Sequence, residues 1–137
     1  MGLSHLDAGV IIGFLDSVDT HHAAATASLT RALDNGDHIA MAASALAECL
    51  IGPARRGEQP IEIVNDIFDR LPIEIVDLGR TIANEAARLR ARHRSLRLPD
   101  ALVIATSITS GADRLVTTDA RWPTRRQLRV EFEIVRI

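Results

Sequence analysis

The chain has 137 residues, 47% of them hydrophobic, enough for one domain with a buried core. Its 16 basic and 18 acidic residues leave a net charge of -2, which excludes a protein that attracts nucleic acid through bulk positive charge. The single cysteine, Cys49, excludes an internal disulfide, and because all the basic residues are arginine, any mechanism that needs a lysine is excluded as well.

In chain order, Gly2 to Leu6 reads as a first strand leading into a helical run over Val10–Leu15. This apolar start carries Asp7 and no basic residue, so it reads neither as a signal peptide nor as a membrane span, and the expected location is cytoplasmic. His22 to Asp34 places Ala25, Leu29, Ala32 and Leu33 at helical spacing and stops at Asn35-Gly36. His38 to Ala42 is a second strand. Ser44 to Arg55 is a helix with Ser44 as its expected N-cap. Ile61 to Arg70 is another helix, and Pro72 to Val76 a third strand. Arg80 to His93 carries Ile82, Ala83, Ala86 and Leu89 on one face. Pro99 to Ser110 is apolar nearly all round, as a buried helix is. Arg114–Thr118 and Phe132–Ile137 complete the strands. Strands separated by helices imply an α/β domain over residues 1–137: a mostly parallel sheet of about five strands with helices on both faces. Sites in such sheets form beyond the carboxyl ends of the strands.

Four carboxylates fall in matching places. Asp7 ends the first strand and Asp119 the fourth, although each could be a turn or cap aspartate. Glu48 is the only charge in its helix before Arg55, and it stands one position past the glutamate of a capping box begun at Ser44. An ion pair with Arg55 or Arg56 is the alternative for Glu48. Asp100 opens the apolar helix, where a negative charge also suits the helix dipole. Four acids meeting at one sheet edge repel each other unless a cation sits among them. On that account, neutralising one of them, Asp119 for instance, should stabilise the metal-free chain. The oxygen-only donor set suits Mg²⁺ or Mn²⁺, and there is no zinc-type cluster.

The blocks LDAGVIIGFLD, SALAECL, LRLPDALVIATS and RLVTTDARW resemble, in order and spacing, a PIN domain of the VapC type, the toxin ribonucleases of toxin–antitoxin pairs. The resemblance implies a PIN-like fold in which Asp7, Glu48, Asp100 and Asp119 are catalytic, metal-binding acids, with Thr118 supporting the site. It implies cleavage of single-stranded RNA (tRNA, rRNA or mRNA), a VapB-type antitoxin whose tail blocks the acidic site, and a homodimer. The family's first aspartate is usually followed by a hydroxyl residue and then a small one; here Ala8 and Gly9 follow Asp7.

Arginines flank both C-terminal blocks and could meet phosphates: Arg80, Arg88, Arg90, Arg92, Arg94 and Arg97 before Asp100, and Arg121, Arg125, Arg126 and Arg129 after Asp119. A solvated helix face is the alternative for Arg88–Arg92. Trp122 suits either base stacking or packing, and Cys49 suits the core. Receiver domains and haloacid-dehalogenase-type phosphatases also gather aspartates at strand ends, but both need a lysine. The non-enzymatic alternative is an inert PIN-like binding module whose acids are only caps.

Overall fold

Five strands, β1 (Leu3–Leu6), β2 (His38–Ala42), β3 (Ile73–Val76), β4 (Arg114–Thr117) and β5 (Glu133–Arg136), form one sheet in the computed structural model, which describes residues 1–137. Their order is β3-β2-β1-β4-β5, and all four pairings are parallel. Consecutive residues of β1, β2 and β4 are buried without alternation, which requires cover on both faces of the sheet. Seven helices connect the strands: α1 (Ala8–Leu15), α2 (His22–Asp34), α3 (Ala43–Arg56), α4 (Glu58–Arg70), α5 (Arg80–Arg92), α6 (Leu98–Ser110) and α7 (Arg125–Leu128). The chain steps from β1 outward to β3, then returns through α5 and α6 to the other side of β1. That reversal makes the carboxyl ends of β1 and β4 the switch point of the sheet, where open α/β folds leave a crevice.

Helix α6 is the central support. Val103, Ile104 and Ala105 are buried, and so are the polar residues Thr106 and Ser107. Their hydroxyls can go inside because each donates to a carbonyl one turn back, Thr106 to Leu102 at 2.7 Å and Ser107 to Val103 at 3.2 Å. Pro99 in its first turn has no intrahelical N–H to lose, and Gly111 ends the helix at φ 67°, a left-handed cap that favours glycine.

Several element starts shift by one to three residues from the sequence reading, and at α3 and α4 the reason for the start differs as well. Ser44 is not the N-cap of α3. Strand β2 runs straight into the helix, Ala42 takes the cap position without a side-chain bond, and the Ser44 hydroxyl is buried with no partner. Helix α4 begins at Glu58 rather than Ile61, since Pro60 is tolerated in a first turn. Helix α7 was not legible from periodicity at four residues, but Thr124 and Gln127 form a reciprocal capping box, a T-x-x-Q signal present in the sequence.

His5 is 1% exposed in β1, and its Nε2 has no partner. Burial lowers its pKa from 6.5 to about 4, with Glu74 opposing and His38 reinforcing the shift. A histidine buried neutral contributes stability that is complete above its unfolded pKa and is lost as pH falls toward the folded value. Relative to a His5→Leu variant, the protein should therefore lose about 1 kcal/mol of unfolding free energy between pH 8 and pH 5.5. Urea unfolding at the two pH values measures this, and parallel pH profiles for the two proteins would show that His5 is not the cause.

Candidate active site

Asp7 follows β1 and caps α1. Its Oδ1 accepts from the Ala8 N–H at 2.8 Å, and its Oδ2 accepts from the Thr117 hydroxyl, also at 2.8 Å. The Thr117 hydroxyl accepts in turn from the Asp119 N–H at 3.1 Å, so one threonine ties the ends of β1 and β4 together. Burial raises the Asp7 pKa from 3.8 to about 6. Thr117 and Ala8 oppose that shift, and the charges of Asp100 and Glu48 add to it.

Glu48, half-buried in α3, pairs with neither Arg55 nor Arg56 and makes no hydrogen bond. Burial and the Asp100 charge raise its pKa, with Arg97 opposing. Asp100, buried in the first turn of α6, accepts a fork from Arg97: Nε to Oδ2 at 3.0 Å and Nη2 to Oδ1 at 3.4 Å. Asp7, Glu48 and Asp100 thus feel one another although they come from three separate elements.

Asp119 is in a different state. It accepts from the Arg121 backbone N–H at 2.8 Å and from the Arg121 guanidinium at 3.2 and 3.3 Å. Against the upward pull of burial, these bonds and the Arg121 charge hold the Asp119 carboxyl below its ordinary range. The expectation that relieving Asp119 stabilises the metal-free chain is therefore corrected. Asp7, not Asp119, is the strained acid.

The supporting threonine is also corrected. Thr117, not Thr118, bonds Asp7. Thr118 packs on Gly9, where an added Cβ would stand 2.2 Å from its Oγ1. With Ala8 and Gly9 after Asp7, the hydroxyls at this point of the structure arrive from the β4 end.

Several flanking groups have structural partners. Arg90 donates to the carbonyls of Arg94 and Leu96, closing the turn into α6. Trp122 is 5% exposed and packs in the core, and Arg136 holds its carbonyl. Cys49 is buried, and burial with the fields of Glu48 and Asp7 pushes its thiol up to about 12, so it supplies no thiolate. A cavity of about 670 Å³ between Glu85, Asp113 and Phe132 contains none of the four acids. A smaller groove, lined by Ser95, Arg97, Asp100, Asp119, Arg121 and Trp122, does hold two of them.

No three carboxylate, imidazole or thiol groups are drawn together closely enough to enclose an ion in this arrangement. The donor chemistry nonetheless fits a hard cation. The acids are all oxygen donors, Asp7 and Glu48 are held against mutual charge, and guanidinium groups already lie on Asp100 and Asp119.

A family model described as PIN domain matches residues 5–127. The chain belongs to the PIN-domain family. Among curated proteins no sequence relative matches it. Solved structures share the PIN fold at low identity. VapBC2 from Rickettsia felis, bound to a promoter DNA fragment, matches with a TM-score of 0.74 at 19% identity, covering 98% of each chain. VapC20 of Mycobacterium tuberculosis, a toxin that cleaves the sarcin–ricin loop, matches at 0.69 and 16% identity over 86% of this chain and 91% of that one. FitAcB from Neisseria gonorrhoeae matches at 0.68 and 15% identity over 96% of each. In this PIN domain the all-parallel five-stranded sheet accords with the fold class read from the sequence. No helix is long and apolar enough to cross a membrane.

Proposed function

We propose that this PIN domain is a metal-dependent endoribonuclease that cleaves single-stranded RNA and acts as the toxin of a toxin–antitoxin pair. The observation that carries the reading is the burial of two carboxylates, Asp7 after β1 and Asp100 at the start of α6, with Asp119 tied to Asp7 through Thr117. The likeness to VapBC and VapC structures supports it.

Asp7, Glu48, Asp100 and Asp119 would hold Mg²⁺ or Mn²⁺, with Asp7 and Asp100 as principal ligands. A divalent ion supplies a lowered pKa for water and positive charge toward a phosphodiester. The protein's own part is to fix the acids. Thr117 and the Ala8 N–H orient both oxygens of Asp7, and α6 presents Asp100 from a rigid first turn. No protein nucleophile is required, because a divalent ion at these acids would make water a competent attacking group. Substrate is tRNA, rRNA or mRNA. The partner is a VapB-type antitoxin whose flexible tail folds onto the acidic site, with an arginine suited to fork a carboxylate there. A homodimer and a cytoplasmic location complete the reading.

Growth after induction tests it. Expression of the chain alone should arrest growth, co-expression with an adjacent antitoxin gene should restore it, and Asp7→Ala should be harmless by itself. Arrest by a folded, equally abundant Asp7→Ala protein would show that toxicity does not come from this site. Absence of arrest by the unaltered chain would favour the inert binding module.

A further inference from the structure

Two guanidinium groups stand among the acids. Arg97 forks Asp100, and its charge also reaches Asp119 and Glu48; Arg121 forks Asp119. Together they carry two positive charges, the charge of one divalent ion. Their anchorage differs. The backbone N–H of Arg121 is bound to Asp119 as well, so that residue belongs to the turn itself. The Arg97 side chain bonds only to Asp100, is 64% exposed, and stands at the N-cap of α6 in the wall of the groove that holds Asp100 and Asp119.

Such an exposed pair breaks readily, and side-chain rotation alone frees Arg97 without moving α6. A divalent ion on Asp100 repels the guanidinium, so ion and fork exclude each other at this carboxylate. The planar fork that matches a carboxylate matches a phosphate equally well. We infer that Arg97 is a displaceable counter-ion. It neutralises the acids while no cation is bound, competes with a divalent ion for Asp100, and when displaced turns its fork to a phosphate of RNA lying in the same groove. The inference rests on the metal-site reading proposed above. Arg97 is thereby a positioning residue for substrate as well as a brake on ion binding.

The test uses the whole protein and two readouts other than cleavage. Mn²⁺ binding without RNA is followed by the electron paramagnetic resonance signal of the free ion, for the unaltered protein, R97Q, R94Q and D100N. R97Q should bind Mn²⁺ about tenfold more tightly than the unaltered protein. R94Q, which removes an equal charge from the same loop, should stay within about twofold. Binding of a single-stranded RNA oligonucleotide is then measured in Ca²⁺ across a salt series. R97Q should bind more weakly and show a slope of log affinity against log salt reduced by about one. Unchanged or weaker Mn²⁺ binding by R97Q overturns the inference, and so does an equal gain in R94Q or an unchanged RNA salt slope. These failures leave the metal site standing if D100N alone loses Mn²⁺. If D100N binds Mn²⁺ as the unaltered protein does, the metal-site reading falls and the inference falls with it.

Discussion

Asp100→Asn should abolish Mg²⁺- or Mn²⁺-dependent RNA cleavage, with a fall of about a thousandfold or more, while the protein stays folded. The side chain keeps its shape and loses only its charge. Structural costs are small and separable. The favourable charge in the first turn of α6 is worth about 0.3–1 kcal/mol. The Arg97 pair is mostly open to solvent on the arginine side, so it adds about 1 kcal/mol at most. Losing the acid strands no buried cation, because Arg97 can turn to water. Cleavage of a labelled single-stranded RNA pool, with a circular dichroism melt of the same sample, separates chemistry from folding. Full cleavage by the variant would remove Asp100 from the site.

Asp7→Asn should have the opposite effect on stability. The folded pKa of Asp7 is raised from 3.8 to about 6, so the fold disfavours the ionised carboxylate. Stability from this group is complete below the unfolded pKa and is lost as pH rises through the folded value. The cost above pH 7 is about 3 kcal/mol by linkage. Asn escapes that cost but reproduces only one of the two accepted bonds, which returns about 1 kcal/mol. The metal-free variant should then be about 2 kcal/mol more stable than the parent at pH 8, a rise of several degrees in Tm, and the gain should vanish by pH 4. Added Mn²⁺ should reverse the order, because only the parent is stabilised by binding. Melting in chelator and in Mn²⁺ at both pH values measures this. A variant less stable than the parent at pH 8 in chelator would make Asp7 chiefly a helix cap.

The positions of Asp7, Glu48, Asp100 and Asp119 were legible because the alternation of short strands and helices already places strand ends and helix starts on one edge. Their partners were not. Arg97 and Arg121 lie three and two residues from the acids they fork, but composition and spacing give a guanidinium no direction. The resemblance points to Thr118, but it is Thr117, the last residue of β4, whose hydroxyl meets Asp7, and nothing in two adjacent threonines tells them apart before the strand is placed. Ser44 carries a strong capping preference that tertiary structure overrides, since β2 enters α3 with no intervening turn. Trp122, beside Pro123 in the connection from β4 to α7, reads more readily as a packing residue than as a base-stacking one, and its burial in the core accords with that.

The close approach of Gly9 to Thr118 makes the two positions share a single volume. At 2.2 Å, the oxygen fills the place a side chain at position 9 would need. A methyl group there acts as a wedge between the first turn of α1 and the exit of β4, the two segments that carry Asp7 and Asp119. Either Thr118 turns away or the wedge spreads the two segments. Bulk at position 9 is therefore accommodated by a new Thr118 rotamer, by a smaller residue at 118, or by a wider gap between the segments that carry Asp7 and Asp119, so two uncharged residues bear on the spacing of two acids.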